Sequence, residues 1–328
     1  MSTSRIVPAE WAPHRAMWLG WPSHADLWAE DLEEAQAEVA ALARALAGPG
    51  DERVRLLVHG EAAEAAAKAA LSDTSVEIVP GRFGDIWLRD TGPIFTRDVH
   101  DSGGADIAVG FRFNGWGGKY ELPHDDEVAA QLAAHAGVAL EHDGFGTVLT
   151  TAQCLLNPNR NDDWTERHAE DALARALGAR KVLWLGDGLE NDHTDGHVDN
   201  LARFVAPGVV ACPAAWGEDD PNAGLYEETA HALKAMTDAE GRRLELLRIP
   251  SPGRIENEDG DVVPASHMNF LIANGAVLVP TYADACAGAL AVEAIQSAFP
   301  ERKVIGLASS AILTGGGSFH CITQQEPA

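Results

Sequence analysis

The sequence predicts an α/β fold, because stretches with apolar residues at helical spacing alternate with short β-rich runs along the whole chain. One unit recurs five times at intervals of roughly forty to sixty residues: a helix, a β-rich run, a polar loop and a second β-rich run. Such a repeat suggests modules arranged around an axis, each supplying an inner strand to the centre. On periodicity alone, a doubly wound α/β sheet is the safer interpretation.

Two elements precede the repeat: a short strand at residues 16–20 and an amphipathic helix at residues 32–46, which a Gly-Pro-Gly run ends. The five helices of the repeat are predicted at residues 61–71, 127–136, 166–177, 226–237 and 289–298. The first β-runs are predicted at residues 76–79, 138–141, 181–185, 244–248 and 303–307. The second β-runs are predicted at residues 86–90, 147–150, 197–200, 268–272 and 319–323.

Length and composition limit the class of protein. With 328 residues, 46% of them hydrophobic, the chain can bury a large core. Length alone allows one domain or two, and because no low-complexity linker divides the chain, we expect a single domain over residues 1–328. The formal charge of -26 disfavours nucleic acid and anionic membranes as partners and favours small cations, although solubility explains the charge equally well.

The cysteines and the chain's N-terminus indicate a compartment. Four cysteines are far apart and form no C-x-x-C pattern, which argues against a structural zinc site or a disulfide framework. There is no signal-peptide pattern and no apolar run of membrane-spanning length. We therefore expect a cytoplasmic protein with free thiols and with neither a metal nor a cofactor; a homodimer is compatible with the sequence.

Three stretches carry side chains that could act together on one substrate. Cys321 follows three consecutive glycines, a backbone that can approach another group closely, although a lone cysteine is more often a buried core residue. His197 and Asp199 would leave the same face of a strand. Trp87 and Asp90 end a short apolar run. Carboxylates that pair with a planar cation, an indole that stacks on it and a thiolate that attacks its carbon would suit a guanidinium.

Six segments, in this order along the chain, resemble the agmatine deiminases and the Porphyromonas-type peptidylarginine deiminases, which modify guanidino groups and belong to the pentein superfamily. These segments are residues 87–93, 113–118, 155–161, 196–200, 269–270 and 315–325. The resemblance runs from about Pro8 to Pro327. It implies a five-bladed α/β propeller, with pseudo-fivefold repeats around a central active-site cleft.

The resemblance also implies roles for individual residues. Cys321 would be the nucleophile that forms a covalent amidino intermediate, and His197 the general acid and base. Asp90 and Asp199 would clamp the guanidinium. Substrate contacts are further expected from Asn269 and from Trp87, for which core packing is an equal alternative. By strand alternation His320 would face away from the site, and Arg89 would anchor a salt bridge.

The chain departs from the agmatine deiminases at His193 and Asp195, where they usually carry a glutamate and an asparagine. Asp195 could therefore contact the far end of the substrate, and Arg112 could read a carboxylate there. Acidic residues near the clamp favour a dication such as agmatine, whereas Arg112 favours a substrate that ends in a carboxylate. The substrate's far end is thus the open point.

The hypothesis we favour is hydrolysis of agmatine to N-carbamoylputrescine and ammonia; the alternative within the family is a peptidylarginine or free arginine deiminase that produces citrulline. A metal-dependent ureohydrolase-like enzyme is a second chemistry, because residues 195–199 read D-x-H-x-D. The sequence shows no further carboxylate-rich cluster to complete a two-metal site. A non-enzymatic guanidinium- or polyamine-binding protein is the third reading, and it would have no need of a thiol.

Overall fold

The computed structural model describes residues 5–98, 107–133 and 141–328. Within these ranges the strands are β1 (Arg5–Ile6), β2 (His14–Gly20), β3 (Val54–Val58), β4 (Glu77–Pro80), β5 (Ile94–Asp98), β6 (Ile107–Val109), β7 (Glu141–His142), β8 (Thr147–Thr151), β9 (Lys181–Leu185), β10 (Arg203–Ala206), β11 (Val209–Ala214), β12 (Glu245–Pro250), β13 (Leu271–Ile272), β14 (Ala276–Thr281), β15 (Lys303–Ala308) and β16 (Thr323–Pro327). The longer helices are Leu32–Ala47, Glu61–Ala70, Asp125–Ala133, Glu166–Leu177, Ala223–Ala235 and Ala285–Ala298. Short helical turns lie at Ala25–Trp28, Ala29–Asp31, Leu88–Thr91, Gly115–Gly118, Ala152–Leu155, Val198–Asn200 and Ser310–Leu313.

The strands in the described ranges form five small sheets. Four of these sheets share one pattern, in which an antiparallel pair is followed by a strand that lies parallel to the second member. A long helix makes each parallel connection, as such a crossover requires. The sheet β1-β5-β6 is antiparallel throughout. The prediction of an α/β fold is therefore confirmed, and the doubly wound alternative is wrong, since no continuous parallel sheet runs through the described residues.

The predicted helices are found within a few residues of their expected bounds, because an apolar stripe of period 3.6 over three turns is a strong signal. Helix Glu166–Leu177 matches its prediction, with Thr165 accepting a hydrogen bond from the backbone of His168 at its start and Gly178 in the left-handed conformation at its end. Residues 134–136 and 138–140, predicted as helix and strand, lie outside the described residues.

The prediction of strands at the second β-runs is mostly wrong. Of the five, only residues 147–150 form the expected strand; elsewhere a one-turn helix occupies Leu88–Thr91 and a 3₁₀ turn occupies Val198–Asn200. Strand β16 begins only at Thr323, and residues 268–270 precede β13. In these segments the polar side chains hydrogen-bond the backbone that a ladder would otherwise satisfy. The candidate functional residues thus lie in turns next to strands and not on the strands themselves.

Strand β16 ties the C-terminal segment to the start of the chain. It pairs antiparallel with β2, with Gln324 opposite Trp18, and β2 continues in parallel register with β3. The core beneath this sheet includes Leu19, Phe319 and Cys321 itself. The segment that carries the thiol is therefore held by sheet hydrogen bonds on one side and by apolar packing on the other.

Glu10 joins segments that are far apart in sequence. Its carboxylate, which is buried, lies 2.7 Å from His320 Nε2 and 3.4 Å from Arg89 Nη1, and it also accepts a hydrogen bond from Arg203. Burial raises the pKa of Glu10, but the charges of His320, Arg203 and Arg89 outweigh burial and hold this pKa well below its usual value. Arg89 is thus a salt-bridge anchor, as the sequence suggested.

We predict that Glu10→Ala lowers the free energy of unfolding by about 3–5 kcal/mol, because it leaves buried cations without their counter-charge. Since the folded-state pKa is lowered, this contribution is present at neutral pH and is lost only as the pH falls through that lowered pKa. Urea unfolding at pH 7 measures the change, with exposed Glu258→Ala as the matched control. Equal stability of the two variants would show that Glu10 is not a structural centre.

Candidate active site

The thiol of Cys321 is buried and in contact with polar side chains. Its Sγ is 3.1 Å from Asn269 Nδ2 and 3.4 Å from Asp199 Oδ2. Only 4% of the residue is exposed. Burial, and then the charges of Asp199 and Asp90, raises the pKa of Cys321 well above its usual value. The free protein therefore holds a neutral thiol, and a cation bound beside it would favour the thiolate.

Asn269 holds the group together. Its Nδ2 is 3.2 Å from Asp199 Oδ2 and 2.9 Å from Asn200 Oδ1, and its Oδ1 accepts hydrogen bonds from the backbone of His320 and Cys321. Both ends of the amide are therefore engaged within the protein. The sequence suggested a substrate contact, whereas this geometry makes Asn269 a residue that orients the thiol and the carboxylate.

Asp199 has one engaged and one unengaged oxygen. Oδ2 accepts from His320 Nδ1 at 2.8 Å, whereas Oδ1 is buried and has no hydrogen-bond partner in the described part of the chain. Burial raises the pKa of Asp199, but the hydrogen bond and charge of His320 and the charge of His197 lower it further, so that the net shift is downward. Asp199 is thus a carboxylate with one oxygen available to a cationic ligand.

His320 was expected to face away from the site, and this expectation is corrected. It lies in a turn before β16, where strand alternation does not apply, and its two ring nitrogens face carboxylate oxygens of Asp199 and Glu10. Such an arrangement suits an imidazolium with both nitrogens protonated. His320 therefore supports Asp199 from behind and connects it to Glu10.

His197 and Asp90 form a second charged pair. Nδ1 of His197 is 3.6 Å from Asp90 Oδ1, which is longer than a hydrogen bond. Burial lowers the pKa of His197, but Asp90 and the neighbouring Cys154 raise it by more, to about 10. The pKa of Asp90 is itself raised, mainly by burial and also by Asp199. His197 is accordingly an imidazolium at neutral pH and can donate a proton.

Two of the three glycines, Gly315 and Gly317, make room for an indole. A Cβ on Gly317 would lie 2.6 Å from the Trp87 ring and 3.2 Å from Cys321 Sγ, and one on Gly315 would lie 2.7 Å from the same ring. Trp28 stacks near Trp87, with ring centroids 6.5 Å apart. Side chains larger than hydrogen would push the indole away from the thiol.

Asp85 fixes both indoles. Its carboxylate accepts a hydrogen bond from Trp87 Nε1 at 2.6 Å and from Trp28 Nε1 at 3.0 Å. Burial, the largest effect, raises the pKa of Asp85 to about 6. Trp87 is therefore packed in the core and also lines the adjoining cavity, and its stacking on a substrate stays a prediction.

We define the thiol cleft as the cavity of about 310 Å³ that adjoins Cys321. Its wall on the chemical side comprises Trp87, Asp90 and Gly315–Gly317. Residues that the sequence analysis missed line the rest of the cleft. They include Trp28, Glu30, Asp31 and Tyr120. No local pattern marks them, because they reach the cleft only through the tertiary fold.

Asp195, for which a contact with the substrate was expected, is engaged by other side chains of the protein. Its carboxylate accepts a hydrogen bond from Lys119, and it lies 3.2 Å from Asn159 Nδ2 and 3.4 Å from Arg160 Nε. Burial raises the pKa of Asp195, but these partners lower it by more. Asp195 does not line the thiol cleft. Its carboxylate is held by Lys119 and Arg160 instead.

Arg112 lies in a different cavity. This second space, of about 300 Å³, adjoins His197, Asp90 and Trp116, and we call it the Arg112 cavity. Cys321 is not part of its lining. The structure therefore does not bring Arg112 to the thiol cleft, where a carboxylate-reading residue was expected.

The metal-dependent alternative requires a cluster of side chains that can bind a metal ion. Among residues 5–98, 107–133 and 141–328, no group of three or more His, Cys, Asp or Glu side chains is arranged to hold a metal ion. The D-x-H-x-D side chains diverge: Asp195 faces Lys119, whereas Asp199 faces His320. In the same ranges no helix is long and apolar enough to cross a membrane.

A thiol next to two carboxylates and an imidazolium, beside an indole wall on an α/β scaffold of small sheets, defines the class of cysteine-dependent enzymes that modify guanidino groups. The comparisons specify the family. The model of the Porphyromonas-type peptidyl-arginine deiminases matches residues 6–327, and the chain belongs to this family.

The relatives named agmatine deiminase are similar over almost their whole length. That of Stutzerimonas stutzeri is 37% identical, with 98% of this chain and 95% of the relative covered. The solved agmatine deiminase of Enterococcus faecalis has a TM-score of 0.90 at 31% identity, with 99% and 96% covered. A variant of the C. jejuni agmatine deiminase, solved with substrate bound, has a TM-score of 0.87 at 26% identity, with 99% and 96% covered.

We predict that Gly317→Ala lowers kcat/KM for the guanidino substrate at least tenfold, about 1.4 kcal/mol in the activation free energy, because the new methyl group displaces the indole or the thiol. Ammonia release measures the effect. Gly224→Ala, at a helical position with open space around it, is the matched control and should retain activity. Full activity of Gly317→Ala would contradict this prediction, because it would mean that the indole or the thiol can move without loss of catalysis.

A second prediction concerns the pH dependence of the thiol. Because the pKa of Cys321 is raised, alkylation of this residue in the free protein should keep rising with pH beyond pH 9, as followed residue by residue with mass spectrometry. Asp90→Asn removes one nearby negative charge, so it should lower the thiol pKa and shift the profile to lower pH. A profile that levels off near pH 7 in the unmodified chain would contradict this electrostatic description.

Proposed function

We propose that this protein hydrolyses agmatine to N-carbamoylputrescine and ammonia through a covalent amidino intermediate on Cys321. The observation that carries the proposal is the free Oδ1 of Asp199, buried beside a thiol that lies 3.4 Å from the other oxygen of the same carboxylate. A buried carboxylate oxygen without a donor calls for a cationic partner. A guanidinium supplies that partner and places its carbon near the sulfur.

In the first step the substrate's own charge activates the thiol. A guanidinium held between Asp90 and Asp199 offsets the two negative charges that raise the pKa of Cys321. Cys321 then loses its proton to solvent, and the thiolate attacks the guanidinium carbon. His197 protonates one amino group, whose bond to the carbon breaks to release ammonia. The product of this step is an amidino group bonded to Cys321, with His197 neutral.

In the second step water replaces the sulfur. Neutral His197 accepts a proton from water, and the resulting hydroxide adds to the amidino carbon. The carbon–sulfur bond then breaks and the remaining hydroxyl proton passes to the sulfur, which releases the ureido product and regenerates the neutral thiol. The fixed carboxylates hold the carbon in place throughout, so the protein contributes orientation and charge complementarity.

The proposal for the substrate's amine rests on two acidic residues of the thiol cleft. Glu30 and Asp31 line this cleft, and in the described residues neither carboxylate is in an ion pair or hydrogen bond that would neutralise it. Arg112, which would favour a terminal carboxylate, lies in the other cavity. A dication with a short aliphatic spacer fits these charges, and the relatives named above are agmatine deiminases.

The finer architecture belongs to the same proposal. We propose that residues 1–328 form a single domain, in which the five sheets stand as five blades around the site. The shared strand pattern of four sheets supports this arrangement, as does the position of the candidate residues in turns that adjoin strands of different sheets. A cytoplasmic location and a homodimer remain predictions from the sequence.

A panel of substrates tests the function. We predict that agmatine exceeds arginine by at least about a hundredfold in kcat/KM, about 3 kcal/mol, since the carboxylate of arginine would meet Glu30 and Asp31 unpaired. The double variant Glu30→Gln and Asp31→Asn should lower kcat/KM for agmatine and narrow this ratio, as measured by ammonia release.

Cys321→Ala is the control for the chemistry: it should bind agmatine but release no ammonia. Turnover of arginine or of a C-terminal arginyl peptide that equals or exceeds turnover of agmatine would assign the chain to arginine substrates instead. Ammonia release by Cys321→Ala would contradict the covalent mechanism.

A further inference from the structure

Two separate cavities meet at the candidate site. The thiol cleft is lined by Cys321 but not by His197, and the Arg112 cavity is lined by His197 but not by Cys321. Asp90 and Trp116 line both. The proposed nucleophile and the proposed acid and base therefore face different spaces, and each space has its own lining.

The charges of the two cavities differ in sign. Glu30 and Asp31 line the thiol cleft, whereas Arg112 and Arg160 line the Arg112 cavity. Arg160 is fixed there by hydrogen bonds to the backbone of Thr194 and to Asp195. A dication would be attracted to the acidic cleft and repelled from the basic cavity. The basic cavity is thus suited to neutral molecules, or to anions, but not to the substrate's amine.

Trp116 indicates which neutral molecule the Arg112 cavity holds. It lies in the turn Gly115–Gly118 with a left-handed φ of 52°, a costly conformation for a tryptophan. Its Nε1 is buried and has no hydrogen-bond partner among the described residues, whereas Nδ1 of His197 faces Asp90 Oδ1 at 3.6 Å. Both side chains line the Arg112 cavity. Water can accept a hydrogen bond from an indole and exchange a proton with an imidazole, so it suits both side chains.

We propose that the Arg112 cavity is the port through which the hydrolytic water reaches His197 and through which ammonia leaves. The inference rests on the proposed function. After the first step the amidino group and its aliphatic tail still occupy the thiol cleft, whereas the adduct leaves the Arg112 cavity, which His197 lines, free for water. Ammonia, formed when His197 protonates the departing amino group, is neutral and can pass the two arginines.

A filled cavity provides the first test. Ala172 lines the Arg112 cavity from helix Glu166–Leu177, and Ala172→Phe would occupy part of it. We expect hydrolysis of the adduct to slow at least tenfold, about 1.4 kcal/mol, so that agmatine gives a burst of ammonia and an amidino-Cys321 adduct visible in the intact mass. Ala174→Phe, on the same helix but outside the lining of both cavities, should show neither change.

A widened cavity provides the second test, which also decides the matter if Ala172→Phe does not fold. Trp164 lines the Arg112 cavity and Leu27 lines the thiol cleft. Hydroxylamine can displace the thiolate from the adduct to give an N-hydroxyguanidine in place of the ureido product. We expect Trp164→Ala to raise this product ratio several-fold, with Leu27→Ala unchanged.

The outcomes separate the two proposals. If the ratio of N-hydroxyguanidine to ureido product rises in Leu27→Ala alone, or is the same in all proteins, the port is overturned. The proposed deiminase activity is unaffected by either result. Absence of both ammonia and adduct in the unmodified enzyme overturns the proposed function and the port with it.

Discussion

A buried row of charges from Asp199 through His320 to Glu10 connects the site to the rest of the structure. The distances are 2.8 Å and 2.7 Å, and Glu10 continues to Arg203 and Arg89. Ions of this kind are costly to bury unless each has its partner. Because the partners come from segments as far apart as 310 residues, the chain satisfies them only when the whole fold is assembled. This row occupies Oδ2 of Asp199, whereas its Oδ1 has no hydrogen-bond partner among the described residues.

The need of buried polar groups for partners also explains why the site residues lie in turns. A strand satisfies its backbone through its neighbours and points side chains alternately to two faces. The segments around Asp90, Asp199 and Cys321 instead direct several side chains to one place, and the amide of Asn269 holds two backbone N–H groups there. The regular sheets end before the site, and within the site side chains accept the hydrogen bonds of backbone N–H groups.

Sequence reasoning found the helices and the convergence of distant motifs, since both follow from repeated patterns that can be read locally. It missed strands such as β11 and β14, whose continuous apolar runs have no period to distinguish them. Long-range pairing was equally inaccessible: nothing near Asp195 shows that Lys119, 76 residues away, holds its carboxylate. The acidic residues that line the thiol cleft, such as Glu30, were missed for the same reason.

The pairing of β16 with β2 has a consequence for synthesis of the protein. During translation the strand that begins at His14 emerges long before its partner, which starts at Thr323. Cys321 lies two residues before this partner strand, and it is synthesised after both Asp90 and Asp199. A nascent chain therefore contains the two carboxylates before it contains the thiol. Cys321 can take its place beside them only once β16 is available to pair with β2, so the order of synthesis keeps the parts of the candidate site apart until this pairing forms.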